Sequence, residues 1–571
     1  MNRNVTIFIA LASVLALGLW GQYVLSPETF LAQFPARFYE VIMLFALEGE
    51  WTLGRTLPIQ LELARLLAPM VSIAGVLIVI TRGTWVQLTN SLILIWRDHV
   101  VVVGLGDKGR RFALNCRSDY NVVVIEQNPE NIYIDEARNR GIKVIVGDAL
   151  DPLVQRNSRL RYARHLAIFT GDDGSSVELA LRFRNRANRF IPDNESRPHI
   201  HVHVNDTEMA RRMEDFSGFN IGDGPTETSF FSVEERIARM QFLGTLWAPA
   251  PDEFAEIMGQ ETIHIAIYGL NNLAEHMITE AVHTCHYFTH NQIRLTVFDP
   301  GATEKGAALL RRYPAIKSLC EIRFVDVLQI PMEMNDEIVA LLPSVTEHII
   351  CLDHDNDNLA ISLWLRRKLL NVVGANAPIH VRMQSSRGLA TLLESRDDEP
   401  EWPDGIYPFG MLDDVLTAEN ILSDSLDQYA KALHEDYLAS KRDQADPRLW
   451  TTLKNWETMS ESARKTNRQQ ADHLEAKLRA VRCHKRDGDA PTYTFTREDA
   501  EQLAIMEHRR YQSQKIFSGW SGGEERTESA RVNPTIGPWE DLTPDERERQ
   551  ISDIMRLPNQ VYAHLGFQLW P

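Results

Sequence analysis

Apolar and polar positions along the chain fall into three regimes. In the first hundred residues the apolar runs are long. Val5–Leu25 holds no charged residue, and at about 1.5 Å per helical residue that length crosses a hydrocarbon core of about 30 Å. A second span is expected over 61–81, where Arg65 snorkels to the interface. Between them, 36–47 is apolar but too short to span. It predicts a re-entrant or interfacial helix ahead of Glu48 and Glu50. From His99 the pattern changes to short β-branched strings separated by helix-period segments, the signature of a parallel sheet with helices on its faces. From about Val415 the strings end, and long polar helices are expected over 417–440 and 460–482.

The first string, His99–Val103, runs into Gly104-Leu105-Gly106-Asp107-Lys108-Gly109 and then a helix from Arg110. In a G-x-G-x-x-G turn the first glycine permits the bend and the second admits a pyrophosphate. The third lets the helix pack on the strand, and the helix start faces the phosphates. The next string, Val122–Ile125, ends in Glu126, close to the spacing at which an acid binds a ribose hydroxyl. A carboxylate there favours an unphosphorylated ribose, hence NAD(H) or an adenine nucleotide over NADP. Val144–Val146 precedes Gly147-Asp148, His165–Phe169 precedes Thr170, and a fifth string lies within Pro198–Val204. The candidate ligand residues are therefore Gly104, Gly106, Asp107, Gly109, Glu126, Asp148 and Thr170. For Asp148 and Thr170 ordinary turn chemistry explains the residue equally well.

The pattern then repeats in degraded form. Ile263–Tyr268 leads to Gly269-Leu270-Asn271-Asn272-Leu273-Ala274, and Leu295–Phe298 ends in Asp299. Phe324-Val325-Asp326, His348–Leu352 and Ile379-His380-Val381 continue it. A second site would use Gly269, Asn271 and Asp299, but two of the three glycines are replaced, which favours a structural pseudo-domain. Asp353, Asp355 and Asp357 open like a calcium loop, yet Asn358 and Trp364 stand where glycine and glutamate are required, so calcium binding of that type is rejected. His283, Cys285, His286 and His290 read as one helix face rather than a metal site.

Composition narrows the classes. A net charge of −18 argues against a nucleic-acid partner, which needs a basic face. Five dispersed cysteines without a C-x-x-C pair read as free thiols of a reducing compartment. Arg3 before the first run, with Arg82 and Arg97 after the second, places both termini in the cytoplasm of a plasma- or inner-membrane protein. No His or Lys acid/base constellation marks a dehydrogenase, and a non-enzyme is expected.

GLGDKG, the Glu126 strand end, VIVGDALDP and IFTGDDGSSVELALRFR resemble the RCK, or KTN, nucleotide-binding domains over about 98–242. That resemblance implies NAD(H) or adenine-nucleotide binding, assembly into dimers and rings, and control of potassium channels or uptake. The layout of span, short helix and span resembles two-span potassium channels but lacks the T-V-G-Y-G filter. Glu48 and Glu50 are either an acidic pore ring or solvated carboxylates. Leu503-Ala504, Glu507-His508, Gly519-Trp520 and Pro538-Trp539 resemble the RyR domain over about 424–567. His508, Tyr511, Trp520 and Trp539 are then candidate ligand contacts, or else core anchors of a small helical domain.

The expected architecture is α/β with a two-span helical membrane region (1–97), two tandem Rossmann-like, doubly wound parallel sheets (98–255 and 256–414) and a mostly helical C-terminal domain (415–571). The expected function is a nucleotide-sensing, homo-oligomeric regulator of potassium transport in the bilayer. The alternative is a membrane-anchored sensor in stress or defence signalling without a pore.

Overall fold

The structure, a computed structural model, describes residues 3–46, 56–74, 96–191, 197–206, 226–243, 262–286, 292–327, 336–372, 377–385, 405–423, 427–443, 455–456, 459, 461–487, 493–525, 527 and 529–570. It divides into two compact units, Met1–Trp96 and Arg97–Pro571.

The first unit contains the helices Arg3–Leu25 and Phe34–Met43, a tight turn Leu44–Ala46, and a helix described over 59–74. Its helices approach closely where side chains are missing. A Cβ on Gly18 would lie 2.5 Å from Val41 Cγ1, and one on Gly21 would lie 2.6 Å from the Leu61 amide nitrogen. Val41, Leu61, Ala64 and Ala68 are fully buried at this contact. Gln22, also fully buried, donates from Nε2 to Glu40 (2.9 Å), and Arg37 pairs with the same carboxylate (3.3 Å). Leu11, Trp20, Leu66, Met70 and Ile73 point outward and are exposed. The two expected spans gain no support from the helices themselves: among the described residues none is long and apolar enough to cross a membrane. Glu48, Glu50 and the second run beyond 74 lie outside the described residues.

In the second unit, six strands form the first sheet: β1 (His99–Val103), β2 (Val122–Glu126), β3 (Lys143–Val146), β4 (Ala163–Ile168), β5 (His199–His203) and β6 (Thr228–Phe231). Their spatial order is β3-β2-β1-β4-β5-β6, and every pairing is parallel. β1 and β2 are buried along their whole length, which is why HVVVV and VVVIE do not alternate. The second sheet repeats the plan with β7 (His264–Tyr268), β8 (Arg294–Asp299), β9 (Glu321–Asp326), β10 (Glu347–Ile350), β11 (Ile379–Arg382) and β12 (Ile406–Phe409). Its order, β12-β11-β10-β7-β8-β9, is the same sequence of strands read from the other edge. Reversal of strand order beside the first strand creates a crevice at the carboxyl ends of β1 and β4, and another at β7 and β10.

Four details differ from the sequence expectation. Each sheet has a sixth strand, β6 and β12, that short polar-flanked strings did not announce. The helix expected over 417–440 is two pieces, Ala418–Leu422 and Gln428–Asp443. The one over 460–482 is interrupted at His473, between Glu461–Asp472 and Leu474–Ala480. The C-terminal region also closes with an antiparallel pair, β13 (His484–Asp487) and β14 (Phe567–Trp570).

One apolar core runs from the first sheet through the second into the C-terminal helices. The helix Val233–Leu243 packs on Asn272–Thr284 of the second domain, and the long helix Arg497–Phe517 packs on the same helix. Thr496 starts that long helix with a reciprocal capping box through Asp499. The seams carry buried charge. Arg239 reaches Asp427 at 2.7 Å and Asp472 at 2.6 Å, and both carboxylates are almost wholly buried. Glu507 is held by Lys477 (2.7 Å) and Arg510 (2.8 Å). Burial opposes its ionisation, but Arg510 and Lys477 outweigh that and hold the carboxyl well below its usual range.

Truncating Arg239 leaves two buried carboxylates short of a cation. Arg239→Ala should therefore lower the unfolding free energy by about 3–5 kcal/mol in chemical denaturation. A loss below about 1 kcal/mol would show the pair to behave like an exposed one.

Candidate functional site

The carboxyl ends of β1, β2 and β4 surround a cleft of about 560 Å³. Its floor is the turn 104–109. Gly104 has φ +94, and a Cβ there would lie 2.3 Å from the Phe169 carbonyl oxygen. A Cβ on Gly109 would lie 2.2 Å from the Gly104 carbonyl oxygen. Gly106 differs: its φ is −69, and a Cβ would meet nothing within 4 Å. So the first and third glycines are required by the protein's own packing, whereas the second leaves open space in the cleft, at the start of the helix Asp107–Cys116.

Glu126 closes one side of the turn. It is 8% exposed, and both of its oxygens accept backbone amides: Oε2 from Leu105 (2.7 Å) and Oε1 from Asn128 (2.8 Å). Asn131 Nδ2 donates to the Leu105 carbonyl (3.1 Å), so the turn is held from both faces. Asp148 lines the cleft and accepts the Leu150 amide through Oδ1 (2.8 Å). Thr170 also lines it and hydrogen-bonds Ser176 Oγ and the Asp172 carbonyl (2.9 Å). Asp107 lines the cleft as well and pairs with Arg110 (3.0 Å) and Arg111 (3.2 Å). The structure thus gathers all seven sequence candidates around one cleft. Sequence reasoning missed Lys108, inside the turn itself, and His203 and Asn205 at and just beyond the end of β5, which also line the cleft. Lys108 was in plain view inside the motif, but its partner Glu234 lies 126 residues away.

The second crevice has the same frame and a different filling. Gly269 has φ +95, and Asp299 accepts the Leu270 amide (2.8 Å) and the Gly301 amide (2.8 Å). These match Leu105 and Asn128 on Glu126 position for position. Asn271, however, puts its side chain where the first turn has space. Its Oδ1 caps the helix Asn272–Thr284 through the Ala274 amide (3.1 Å), and its Nδ2 donates to the Cys351 carbonyl (2.7 Å) and to Asp353 Oδ1 (2.8 Å). Lys305 pairs with Asp299 at 2.8 Å. The space above the turn and the carboxylate beside it are both taken by the chain's own side chains.

The C-terminal candidates separate into two sets. His508 and Trp539 are buried against one another, rings 5.6 Å apart, with His508 Nε2 on the Gly537 carbonyl (2.9 Å). Tyr511 and Trp520 are half-buried, with the Lys515 ammonium 5.5 Å and 5.2 Å from their ring centres. His283 and Cys285 are buried and His286 is half-buried, and His283 meets Phe517 of the helix Arg497–Phe517 edge-on at 4.4 Å; His290 lies outside the described residues.

Residues 100–220 match the TrkA-N domain. No curated protein matches the chain. Among solved structures it is similar to the GsuK channel bound to NAD, at 14% identity and TM-score 0.35, over 74% of this chain and 85% of that one. It is likewise similar to the GsuK RCK domain (12%, TM-score 0.38, covering 59% and 79%). A third is the human SLO3 gating ring (8%, TM-score 0.37, covering 58% and 84%).

The contrast between the glycines is testable by thermal melting. Gly106→Ala should melt with the parent. Gly104→Ala should lose at least about 1–3 kcal/mol from its backbone conformation alone, besides the clash with Phe169. Equal losses at both positions would refute the assignment of open space to Gly106.

Proposed function

We propose that the chain is a membrane-anchored sensor whose first Rossmann domain binds NAD(H) or an adenine nucleotide and thereby regulates ion transport, with potassium as the ion. One observation carries the reading: the first glycine turn keeps open space above Gly106 beside the buried acid Glu126, within a segment that matches the TrkA-N domain. A pyrophosphate fits that space on the helix start. Glu126 has lone pairs left for a ribose hydroxyl beyond the two amides it accepts. Asp148 and Thr170 stand at the neighbouring strand ends, where the adenosine half would lie. In this reading the cleft binds its ligand without turning it over, and the second domain supports the first without a ligand of its own.

Membrane anchoring is supported by the packing of the first unit. It buries glycine, alanine and Gln22, the last bonded to a half-buried Glu40 that also pairs with Arg37, while turning leucine, isoleucine, methionine and tryptophan outward. That is the arrangement expected where the surroundings are apolar and helices associate through small residues and polar contacts. A homo-oligomeric ring, with the second unit in the cytoplasm, completes the proposal. The lack of a T-V-G-Y-G filter favours the second reading, a sensor in the membrane without a conducting pore.

Purified protein in liposomes should show ion flux that changes with NADH, NAD or ATP. Calorimetry should show binding that Gly106→Asp abolishes without altering the melting temperature. Intact binding with no flux under any nucleotide would exclude the channel and leave the sensor. No binding by the parent protein would end both readings.

A further inference from the structure

Lys108 is the one lysine inside the glycine turn, and its charge is already committed. It occupies the first turn of the helix Asp107–Cys116, where the helix dipole disfavours a cation. Its ammonium donates to Glu234 Oε1 (2.8 Å), to His203 Nε2 (3.1 Å) and, at longer reach, to Asn205 Oδ1 (3.5 Å). An ammonium has only donors, so His203 must accept through Nε2 and carry its proton on Nδ1. Burial and then the Lys108 charge push that imidazole well below its ordinary value, which keeps it neutral. Glu234 is steadied independently by Ser232, whose Oγ donates to Oε2 at 3.2 Å. The acid therefore stays in place if the lysine leaves.

Glu234 lies in the first turn of the helix Val233–Leu243, the element that ties the three cytosolic parts together. One residue on, Glu235 pairs with Lys465 (2.6 Å). Further along, Arg236 donates to the Asn420 carbonyl, and Arg239 holds Asp427 and Asp472. The same helix packs against Asn272–Thr284 of the second domain. Asn205, the weakest of the lysine's partners, accepts through its carbonyl from Asn272 Nδ2 (3.3 Å) at the start of that second-domain helix.

We propose that Lys108 is a phosphate-sensing residue: the diphosphate of a bound nucleotide takes its ammonium from Glu234, and the exchange is read by the helix Val233–Leu243. This rests on the nucleotide reading above and adds a residue and a route to it. The lysine is within reach because it lines the same cleft as Gly106. The exchange is favourable because a diphosphate at the helix start offers more negative charge to the same cation than one carboxylate does. Glu234 then competes with the ligand. Its loss of the lysine changes the charge on a helix whose other residues grip the C-terminal domain.

The test uses the full chain in detergent, with calorimetry against ADP and against adenosine, which shares the base and ribose but has no phosphate. Glu234→Gln keeps the shape and removes the competing charge. It should tighten ADP by about tenfold and leave adenosine unchanged. Lys108→Met should weaken ADP by a similar factor, again without effect on adenosine. Hydrogen exchange over Val233–Leu243 should rise in the parent with ADP and stay unchanged with adenosine. If the parent binds ADP while Glu234→Gln binds it no more tightly, or if ADP leaves that helix's exchange unchanged, the role of Lys108 is overturned and the nucleotide reading stands. If the parent binds neither ligand, the nucleotide reading itself falls, and this inference with it.

Discussion

In each of the two sheets a buried carboxylate at the end of the second strand holds the backbone of the glycine turn after the first. Glu126 takes the amides of Leu105 and Asn128, and Asp299 takes those of Leu270 and Gly301, with distances of 2.7–2.8 Å throughout. A carboxylate bonded through both oxygens to backbone amides is stable in burial, because charge-assisted bonds replace its lost water. Everything near the crevice depends on that pair of bonds. They fix where the turn lies, the turn fixes where the next helix begins, and the helix start decides whether an anion is welcome. The side chain's length does not matter: glutamate and aspartate reach the same two classes of amide.

Because the frame is common, the difference between the domains reduces to what stands above the turn. A glycine without neighbours leaves room in the first domain. In the second, Asn271 satisfies the helix start and the strand ends across the crevice with one amide group, and Lys305 neutralises Asp299. The second crevice therefore lacks the open space that the first keeps above its turn. In the reading proposed above, one open and one filled crevice suit a sensor better than two equivalent sites would. Ligand binding changes the shape of an assembly only when it favours one arrangement over another.

Much of this frame was legible in the chain. GLGDKG after HVVVV, and Glu126 at the end of VVVIE, fixed the crossing of strand, turn and helix by local chemistry. The repeat of that spacing exposed the second domain despite its lost glycines. Less was legible where the cause is non-local. β6 and β12 are short edge strands whose sequences, TSFF and IYPF, carry too little period to distinguish them from loops. The plug in the second crevice needs Asn271 to meet a carbonyl 80 residues away. The clamp on Lys108 needs Glu234 at a still greater separation. The C-terminal aromatics were the least readable. Tryptophan serves equally as an anchor or a stacking platform, and only burial separates Trp539, in the core with His508, from Trp520 beside Lys515.

The helix Val233–Leu243 is the element through which, in the route proposed above, a small event at the crevice would reach distant parts. Residues one, two and five positions beyond Glu234 on a helix point away from it, so a single rod meets Lys108 with Glu234 and the C-terminal region with Glu235, Arg236 and Arg239. A hydrogen bond to a charged group contributes about 1.5–3 kcal/mol. Exchanging one such bond therefore shifts a two-state balance by roughly one to two powers of ten. That is too little to reverse a strongly biased equilibrium and enough to control a nearly balanced one. The buried ion pairs on the rod's far end supply the other requirement. Each is costly to break singly, so the grip on the C-terminal domain persists while the charge balance at the helix's first turn changes.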